Sequence, residues 1–402
     1  MNFLYDDAMR RFSIIVAAVM LAGCAGSSES SETLRQREEI LLSEGLIYYG
    51  HDQEDDAFDD MYYAFVAGEE EMADASAKAL KEFRSKLKGM SSKDRAFLGG
   101  IFSDYADLAE MADYAYKDSK VTLPKGWKDL GAEDETLEEI IDRYSVSGFL
   151  PSGLKCSLMA KGNRRLLVFA GTDFPSSWTN VNQVMHFIID AYEDVNGALN
   201  ADASQVVLAA ELVDELLKKG YVTKDNLEFA GHSLGGRLAS EMAVRYECPA
   251  VLFNAAGVSP DVYEKYEDSR NSARGGWRGY IVDVIAANDP LTCAQKYMSG
   301  SADPFVSTAA KALSMDSKTV DGILSLGLSA LGTVVDKVSG GSEVMSAVKG
   351  FVDKYGDVVD EYYERDYRAL GAMMPIREDM GGHGIKELAA ALRSRAELCG
   401  SI

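Results

Sequence analysis

The chain has 402 residues, 47% of them hydrophobic, which is enough to bury a sizeable core in one large domain with an extension or in two domains. It carries 64 acidic against 41 basic residues, for a net charge of −23. This charge argues against nucleic acid as a partner, because phosphates need Lys and Arg to neutralise them. It also disfavours tight electrostatic docking on anionic lipid headgroups.

The first residues are typical of a targeting signal. Arg10 and Arg11 precede an apolar run from Phe12 to Ala22, which matches the hydrophobic region of a signal peptide and is short for a membrane span. The run ends in Leu21-Ala22-Gly23-Cys24, which resembles the processing box of bacterial lipoproteins. The resemblance implies that residues 1–23 are removed and that Cys24 is lipidated. The alternative is an ordinary secretory signal with an incidental cysteine.

Residues 24–32 are polar and suit a flexible tether. Ala25, rather than Asp, follows Cys24, and in Gram-negative lipoproteins this feature favours the outer membrane. The resemblance therefore implies a bacterial cell-envelope protein that is held to a membrane through lipidated Cys24.

Four further cysteines follow, namely Cys156, Cys248, Cys293 and Cys399. Outside the cytoplasm they could pair in any of three ways, and isolated buried thiols fit the sequence equally well. Their spacing contains no CxxC motif or Cys/His cluster of the kind that binds structural zinc.

Residues 33–105 are predicted to form an acidic, helical extension. Segments such as Met61–Val66 and Ala77–Phe83 carry apolar residues at helical spacing, and no catalytic grouping lies among them. We expect this extension to pack on a main domain that takes up residues 106–402.

In the main domain, short apolar runs alternate with helical patterns. Strands are predicted at Leu154–Met159, Leu166–Ala170, Leu227–Ala230, Pro249–Phe253 and Tyr280–Ile285, and helices at about 203–219 and 238–246. This alternation indicates βαβ units, so the predicted fold class is α/β with a mainly parallel central sheet.

An insertion at about 305–370 is weakly patterned and rich in Gly, Ser, Ala and Val. Its apolar stripe, which includes Ile323, Leu324 and Leu328, fits a core face, a partner surface or a mobile lid. Core packing is the commonest origin of such a stripe.

The motif Gly231-His232-Ser233-Leu234-Gly235-Gly236 contains G-x-S-x-G. A predicted strand runs into it and a helix follows, and a sharp turn in this context presents a serine hydroxyl above a sheet. Glycines are expected here because larger side chains would clash, and the helix N-terminus favours developing negative charge. The sequence thus predicts Ser233 as a nucleophile, against the alternative of a purely structural turn.

A serine hydroxyl needs a base, and the chain has only 4 histidines. His51 lies in the acidic extension, and His186 lies in an apolar helical stretch. His232 is inside the turn, where its side chain would point away from Ser233. His383 follows the serine in a Gly-rich loop, as the chain order serine, acid, histidine requires. His383 is the predicted base.

The acid that orients the histidine should lie between Ser233 and His383 on a loop after a strand. Asp289 stands directly beyond the Tyr280–Ile285 strand and is the predicted acid. Asp283 is the rival, although its place within the strand favours a structural role, and no clear strand leads to Asp303.

An oxyanion hole needs two donors aimed at the tetrahedral intermediate. One is the backbone N–H of Leu234, directly after the serine. The other is expected from Thr172, which follows Gly171 at the end of the Leu166–Ala170 strand. The alternative for Gly171-Thr172 is a simple strand-ending turn.

These motifs together resemble the class 3 lipase family. The resemblance rests on Val168-Phe169-Ala170-Gly171-Thr172-Asp173 with Trp178, on the GHSLGG turn and on Asn288-Asp289-Pro290-Leu291. Residues 249–257 are similar to bacterial lipase-like and phospholipase A1-like members, and the likeness covers about 108–385 except for the poorly matched 305–370 stretch.

The resemblance implies an α/β-hydrolase fold that needs no metal or other cofactor and cleaves acyl esters of glycerides or glycerophospholipids. Residue by residue, it implies Ser233, Asp289 and His383 as a triad, with Thr172 and Leu234 as oxyanion donors. Ala170 departs from the Arg that fungal members usually carry, which bears on the anchoring of that loop.

The sequence therefore predicts a lipid acyl-ester hydrolase of the triacylglycerol lipase or phospholipase A type. A carboxylesterase for soluble esters and an acyltransferase are the enzymatic alternatives. The third hypothesis is a non-catalytic envelope lipoprotein. Such a protein would not need all three triad residue types in this order, so their presence argues against it.

Overall fold

The computed structural model describes residues 31–47, 69–116, 120–147, 150–151, 154–171, 204–258, 280–286, 289, 370–378 and 383–402. Several predicted features therefore lie outside the described residues: the signal segment 1–23, Cys24, Thr172, and the 305–370 insertion up to its last residue. The same holds for His51, His186, Asp303 and Cys293.

The described strands are β1 (Lys128–Asp129), β2 (Val146–Ser147), β3 (Leu150–Pro151), β4 (Cys156–Lys161), β5 (Arg164–Phe169), β6 (Leu227–His232), β7 (Ala250–Phe253), β8 (Ile281–Ala286) and β9 (Ala372–Ile376). Within the described part of the chain, seven of them form one sheet in the order β1-β4-β5-β6-β7-β8-β9, while β2 and β3 pair separately. The first two pairings of the large sheet are antiparallel, and β5 to β9 run parallel.

The described helices are α1 (Ser31–Ser43), α2 (Glu69–Gly89), α3 (Ser92–Tyr114), α4 (Glu135–Tyr144), α5 (Ser204–Lys219), α6 (Leu234–Tyr246) and α7 (Ile385–Ser401). Helices α1 to α3 precede the sheet, while α5 and α6 lie between the parallel strands β5, β6 and β7, as βαβ units require. The predicted α/β-hydrolase fold, with its mainly parallel sheet and N-terminal helical region, is thus confirmed. The five predicted strands and the two predicted helices are all present, mostly with bounds shifted by one or two residues and by four at the start of α6.

Two cores cover the two faces of the sheet. Alternate strand residues such as Val168, Ala230 and Val282 face α3 and α7, with α1 and α2 packed outside them. Their neighbours Leu167, Phe229 and Ile281 face α4, α5 and α6. Because both faces are covered, β6, β7 and β8 are buried at every position, which explains their nearly continuous apolar sequences.

Helix α3 joins the helical extension to the main domain. It begins where the Ser91 hydroxyl accepts a hydrogen bond from the Asp94 N–H, and it runs without interruption to Tyr114. Its residues on both sides of the predicted boundary between 105 and 106 belong to the core that packs on the sheet. The extension therefore packs directly on the sheet through a helix that crosses the boundary.

A buried ionic cluster fastens α1 and α3 to the start of β5. Asp104 of α3 contacts Arg164 of β5 at 2.7 Å and Arg37 of α1 at 3.0 Å, and Arg164 also binds Glu228 of β6 at 2.7 Å. Burial by itself raises the pKa of Asp104, but the two arginines outweigh it and bring the pKa down to about 2. The cluster lies at the strand ends opposite to those that carry Ser233.

Three cysteines among the described residues, Cys156, Cys248 and Cys399, are buried and lie in no disulfide. For these three, the alternative of buried thiols therefore holds over a pairing with one another. No helix within the described ranges is both long and apolar enough to cross a membrane.

Candidate active site

The turn after β6 places Ser233 in a backbone conformation that non-glycine residues rarely adopt. Ser233 has φ 58° and ψ −127°, and α6 begins at the next residue. The Ser233 N–H donates to the Phe253 carbonyl at 3.1 Å, and the Ser233 carbonyl accepts from Gly236 and Ala256. The strained conformation is thus held by hydrogen bonds from β7 and α6 on both sides of the residue.

The glycines around Ser233 allow this turn to pack. A Cβ at Gly231 would overlap the backbone of Gly235, and a Cβ at Gly235 would overlap the carbonyl of Phe169 at the end of β5. A Cβ at Gly236 would lie 2.7 Å from the Cβ of Ala255. Larger side chains would therefore clash here, as the motif predicts.

Asp289 and His383 come together although they are far apart in the chain. His383 Nδ1 lies 2.6 Å from Asp289 Oδ1. Asp289 is fully buried just beyond β8, where its N–H donates to the Ala286 carbonyl at 2.8 Å, and His383 directly precedes α7 with 22% of its side chain exposed. The carboxylate is placed to fix the tautomer and the orientation of the imidazole.

Asp283, the rival acid, has a different environment. It is buried within β8 and accepts a hydrogen bond from the Ala255 N–H at 3.3 Å. Burial, with a further contribution from the nearby charge of Asp289, raises the pKa of Asp283 to about 8. At neutral pH this side chain is therefore mostly protonated, and the carboxyl group in contact with His383 Nδ1 is that of Asp289.

His232, which the sequence analysis set aside as a base, contacts both His383 and Tyr116. Its Nε2 lies 2.8 Å from the backbone carbonyl of His383, and its Nδ1 lies 2.8 Å from the hydroxyl of Tyr116 at the end of α3. The rings of His232 and His383 are 4.7 Å apart. Burial, and then the neighbouring His383, lower the pKa of His232 to about 3, so the ring is uncharged at neutral pH.

Tyr116 was missed by sequence reasoning because it belongs to no motif and lies 116 residues before its ring partner. Its hydroxyl also accepts the Gly171 N–H at 2.9 Å. The only sequence signal for it is an aromatic residue at the end of a buried helix, which by itself predicts core packing.

The end of β5 lies against the serine. A Cβ added at Gly171 would be 2.8 Å from the Cβ of Ser233 and 2.5 Å from the carbonyl oxygen of His232. Leu234 is the first residue of α6, so its N–H belongs to the helix end whose N–H groups have no partner within the helix. The structure thus brings Gly171 against Ser233, which directly precedes Leu234. His383 contacts both Asp289 and His232. Thr172 lies outside the described residues.

Among the described residues, no group of three or more His, Cys, Asp or Glu side chains is placed to hold a metal ion. The arrangement combines a serine at a strained turn, a buried carboxyl group that contacts a histidine ring, and backbone N–H groups at the N-terminus of a helix. Those are the parts of a nucleophilic acyl-transfer site.

A family model and a curated relative point in the same direction, and one solved structure also matches part of the chain. The phospholipase-like family described as Tle-like phospholipase domain matches residues 107–344. The extracellular phospholipase A1 of Serratia liquefaciens is 36% identical over 109 residues, which are 27% of this chain and 29% of that protein. A solved structure, the extracellular lipase LipA from Serratia marcescens, matches with a TM-score of 0.30 and 12% identity over 50% of this chain and 40% of that one.

Proposed function

Because this chain belongs to the phospholipase-like family, as a Tle-like phospholipase domain, we propose that it hydrolyses acyl-ester bonds of lipids with Ser233 as nucleophile. The observation that carries the proposal is the 2.6 Å contact between His383 Nδ1 and Asp289. The His383 carbonyl is bonded by His232, which directly precedes Ser233 with its φ of 58°. The match with the Serratia liquefaciens enzyme covers only 29% of that protein, so the activity of that enzyme supports the proposal without establishing it.

In the proposed reaction, the Ser233 hydroxyl attacks the ester carbonyl while His383 Nε2 takes the hydroxyl proton. The tetrahedral intermediate collapses when the protonated imidazole returns that proton to the leaving alcohol oxygen. Water, deprotonated by the same nitrogen, then attacks the acyl-serine ester, and the fatty acid leaves as Ser233 regains its proton. The Asp289 carboxyl group accepts from His383 Nδ1 and stabilises the imidazolium in both halves of the reaction.

The oxyanion of both intermediates is proposed to bind the N–H of Leu234 and a donor from Thr172. Support for Leu234 comes from its place at the N-terminus of α6, where the helix dipole favours negative charge. Support for Thr172 comes from Gly171, whose position against Ser233 brings the end of β5 to the nucleophile.

For the substrate we propose a glycerophospholipid, with release of a fatty acid and a lysophospholipid. The family match and the local identity with a phospholipase A1 favour this class over triacylglycerol, and the resemblance of the motifs to class 3 lipases is consistent with either.

The test is to incubate the protein with a mixture of phosphatidylcholine and triacylglycerol whose positions carry different acyl chains, and to identify the products by mass spectrometry. We expect lysophosphatidylcholine and one fatty acid as the main products. Ser233→Ala should lower the rate by about four orders of magnitude or more. Ser240→Ala in α6, a buried serine that bonds the Arg237 carbonyl, is the matched control and should keep the activity. Hydrolysis that survives in Ser233→Ala would refute the proposal.

Anchoring of the protein through lipidated Cys24 is a further part of the proposal. Its support is the Leu21-Ala22-Gly23-Cys24 sequence and the polar residues that follow. An anchor would hold the site beside a bilayer, where its substrate is abundant.

A further inference from the structure

We propose that Tyr116 and His232 are positioning residues for the hydrolysis proposed above. Together they form a hydrogen-bonded chain that holds the backbone of His383 and the end of β5 against the turn that carries Ser233. The inference rests on the proposed function of this site, and it assigns a role to two side chains outside the triad.

The groups at the two ends of this chain fix the direction of every hydrogen bond in it. The Gly171 N–H can only donate, and it does so to the Tyr116 oxygen at 2.9 Å. The His383 carbonyl can only accept, so His232 Nε2, at 2.8 Å, carries the proton. Nδ1 of the uncharged ring is then an acceptor, and it receives the Tyr116 hydroxyl proton at 2.8 Å.

Burial keeps the His232 ring in this one arrangement. The residue is 7% exposed, and its low pKa means that the ring does not gain a second proton near neutral pH. An uncharged imidazole has one donor and one acceptor, and both are used here. The chain therefore acts as a rigid connection rather than as a group that exchanges protons during the reaction.

This connection acts on the base through its backbone. Asp289 orients the imidazole of His383, but it does not determine where the residue as a whole lies relative to the nucleophile. The hydrogen bond from His232 to the His383 carbonyl sets the position of His383 relative to the nucleophile, because His232 is adjacent to Ser233 in the chain. A displacement of about 1 Å between reacting groups can cost about 100-fold in rate.

At its other end the chain acts on β5. Tyr116 binds the N–H of Gly171, the residue that lies against the Ser233 Cβ and precedes Thr172. One tyrosine just after α3 thus connects the proposed oxyanion loop to the ring that bonds His383.

Tyr116→Phe tests the chain with the smallest change, since it removes one oxygen and keeps the aromatic ring. We expect kcat on a soluble p-nitrophenyl ester to fall by about 10- to 100-fold with KM within about twofold, because geometry rather than binding is affected. The rate of Ser233 labelling by a fluorophosphonate should fall in the same proportion. Tyr114→Phe, two residues earlier on α3, is the matched control: its hydroxyl bonds Asp129, and its loss should leave kcat unchanged.

His232 offers a conservative rescue. The amide of His232→Gln can donate to the His383 carbonyl, whereas His232→Leu cannot. We expect the kcat of the His232→Gln variant to be about tenfold higher than that of His232→Leu. Adding Tyr116→Phe to His232→Leu should cost little more, because the chain is already broken.

A measurement that needs no turnover checks the chain itself. Nitrogen NMR of labelled protein should show His232 with a protonated Nε2 and an unprotonated Nδ1 at pH 7, unchanged at pH 5. A protonated Nδ1 would overturn the assigned directions. Wild-type kcat in both Tyr116→Phe and His232→Leu, or an equal loss in Tyr114→Phe, would overturn the positioning role alone. A wild-type protein that neither hydrolyses esters nor reacts with the fluorophosphonate would instead overturn the proposed function.

Discussion

Two buried aspartates close to each other differ in what they can do for a histidine. Asp289 contacts His383 Nδ1 at 2.6 Å, whereas Asp283 accepts from the Ala255 N–H and has a pKa of about 8. The environment of Asp283 has a physical consequence, because a single backbone N–H at 3.3 Å compensates a carboxylate only weakly for its burial.

Asp289→Asn should therefore lower kcat by about four orders of magnitude, since the histidine loses the group that fixes its tautomer. Asp283→Asn should keep activity within about tenfold at pH 7, where the acid it replaces is already mostly uncharged. Ester hydrolysis by the two purified variants, side by side with wild type, gives the comparison. The reverse order of the two activities would make Asp283 the acid.

At the level of the elements, α3 contains two adjacent glycines in unlike surroundings. A Cβ at Gly100 meets nothing within 4 Å, whereas a Cβ at Gly99 lies 3.0 Å from the Cβ of Cys399 on α7. Glycine within a helix costs about 0.5–1 kcal/mol relative to alanine.

We expect Gly100→Ala to raise the free energy of unfolding by about 0.5–1 kcal/mol, because the helix loses its most flexible residue at no steric cost. Gly99→Ala should be neutral or destabilising, since α7 has to shift. Urea denaturation followed by circular dichroism measures both. A Gly100→Ala protein that is less stable than wild type would contradict the packing of α3 described above.

The cluster around Asp104 predicts a pH dependence. The pKa of Asp104 is about 2 in the folded protein and near 4 in the unfolded chain. The folding stability that this carboxylate contributes is therefore present above about pH 4 and is lost as the pH falls towards 2. Asp104→Asn removes this contribution, which is about 2 kcal/mol.

The difference in unfolding free energy between wild type and Asp104→Asn should therefore be constant from pH 7 to about 5 and shrink below pH 4. Urea titrations at a series of pH values measure it. A difference that grows on acidification would mean that Arg164 and Arg37 do not hold this carboxylate in its charged form.

For the whole molecule, attachment to a membrane is expected to depend on Cys24. Stable anchoring takes two or more buried acyl chains, and lipidation of this thiol would supply them. In bacterial cells, the full-length chain should fractionate with membranes, and Cys24→Ser should move to the soluble fraction. Cys156→Ser is a suitable control, because that cysteine is buried in the described sheet and lies in no disulfide. Membrane residence of Cys24→Ser would point to a different anchor.

Much of the fold was predictable because it depends on local patterns. The strand, the turn with its glycines and the following helix are contiguous, so β6, Ser233 and α6 could be identified together. The edge strand β9 was missed, since its sequence is a short apolar run that contains Pro375, and proline is tolerated there only because β9 lies at the edge of the described sheet. The predicted division at 105 and 106 falls within α3, which runs without interruption from Ser92 to Tyr114.

The sequence by itself determined the fold class and the serine at its turn, and it predicted the order of serine, acid and histidine, because these follow from periodicity and from the few residues with suitable chemistry. Only the tertiary structure decided that Asp289 rather than Asp283 meets His383, and that Tyr116 and His232 join His383 to β5. Those contacts span 94, 55 and 151 residues. Hydrogen bonds at such separations produce no periodic pattern in the sequence. They depend on how distant elements pack, because that packing decides which polar atoms are buried and meet a partner.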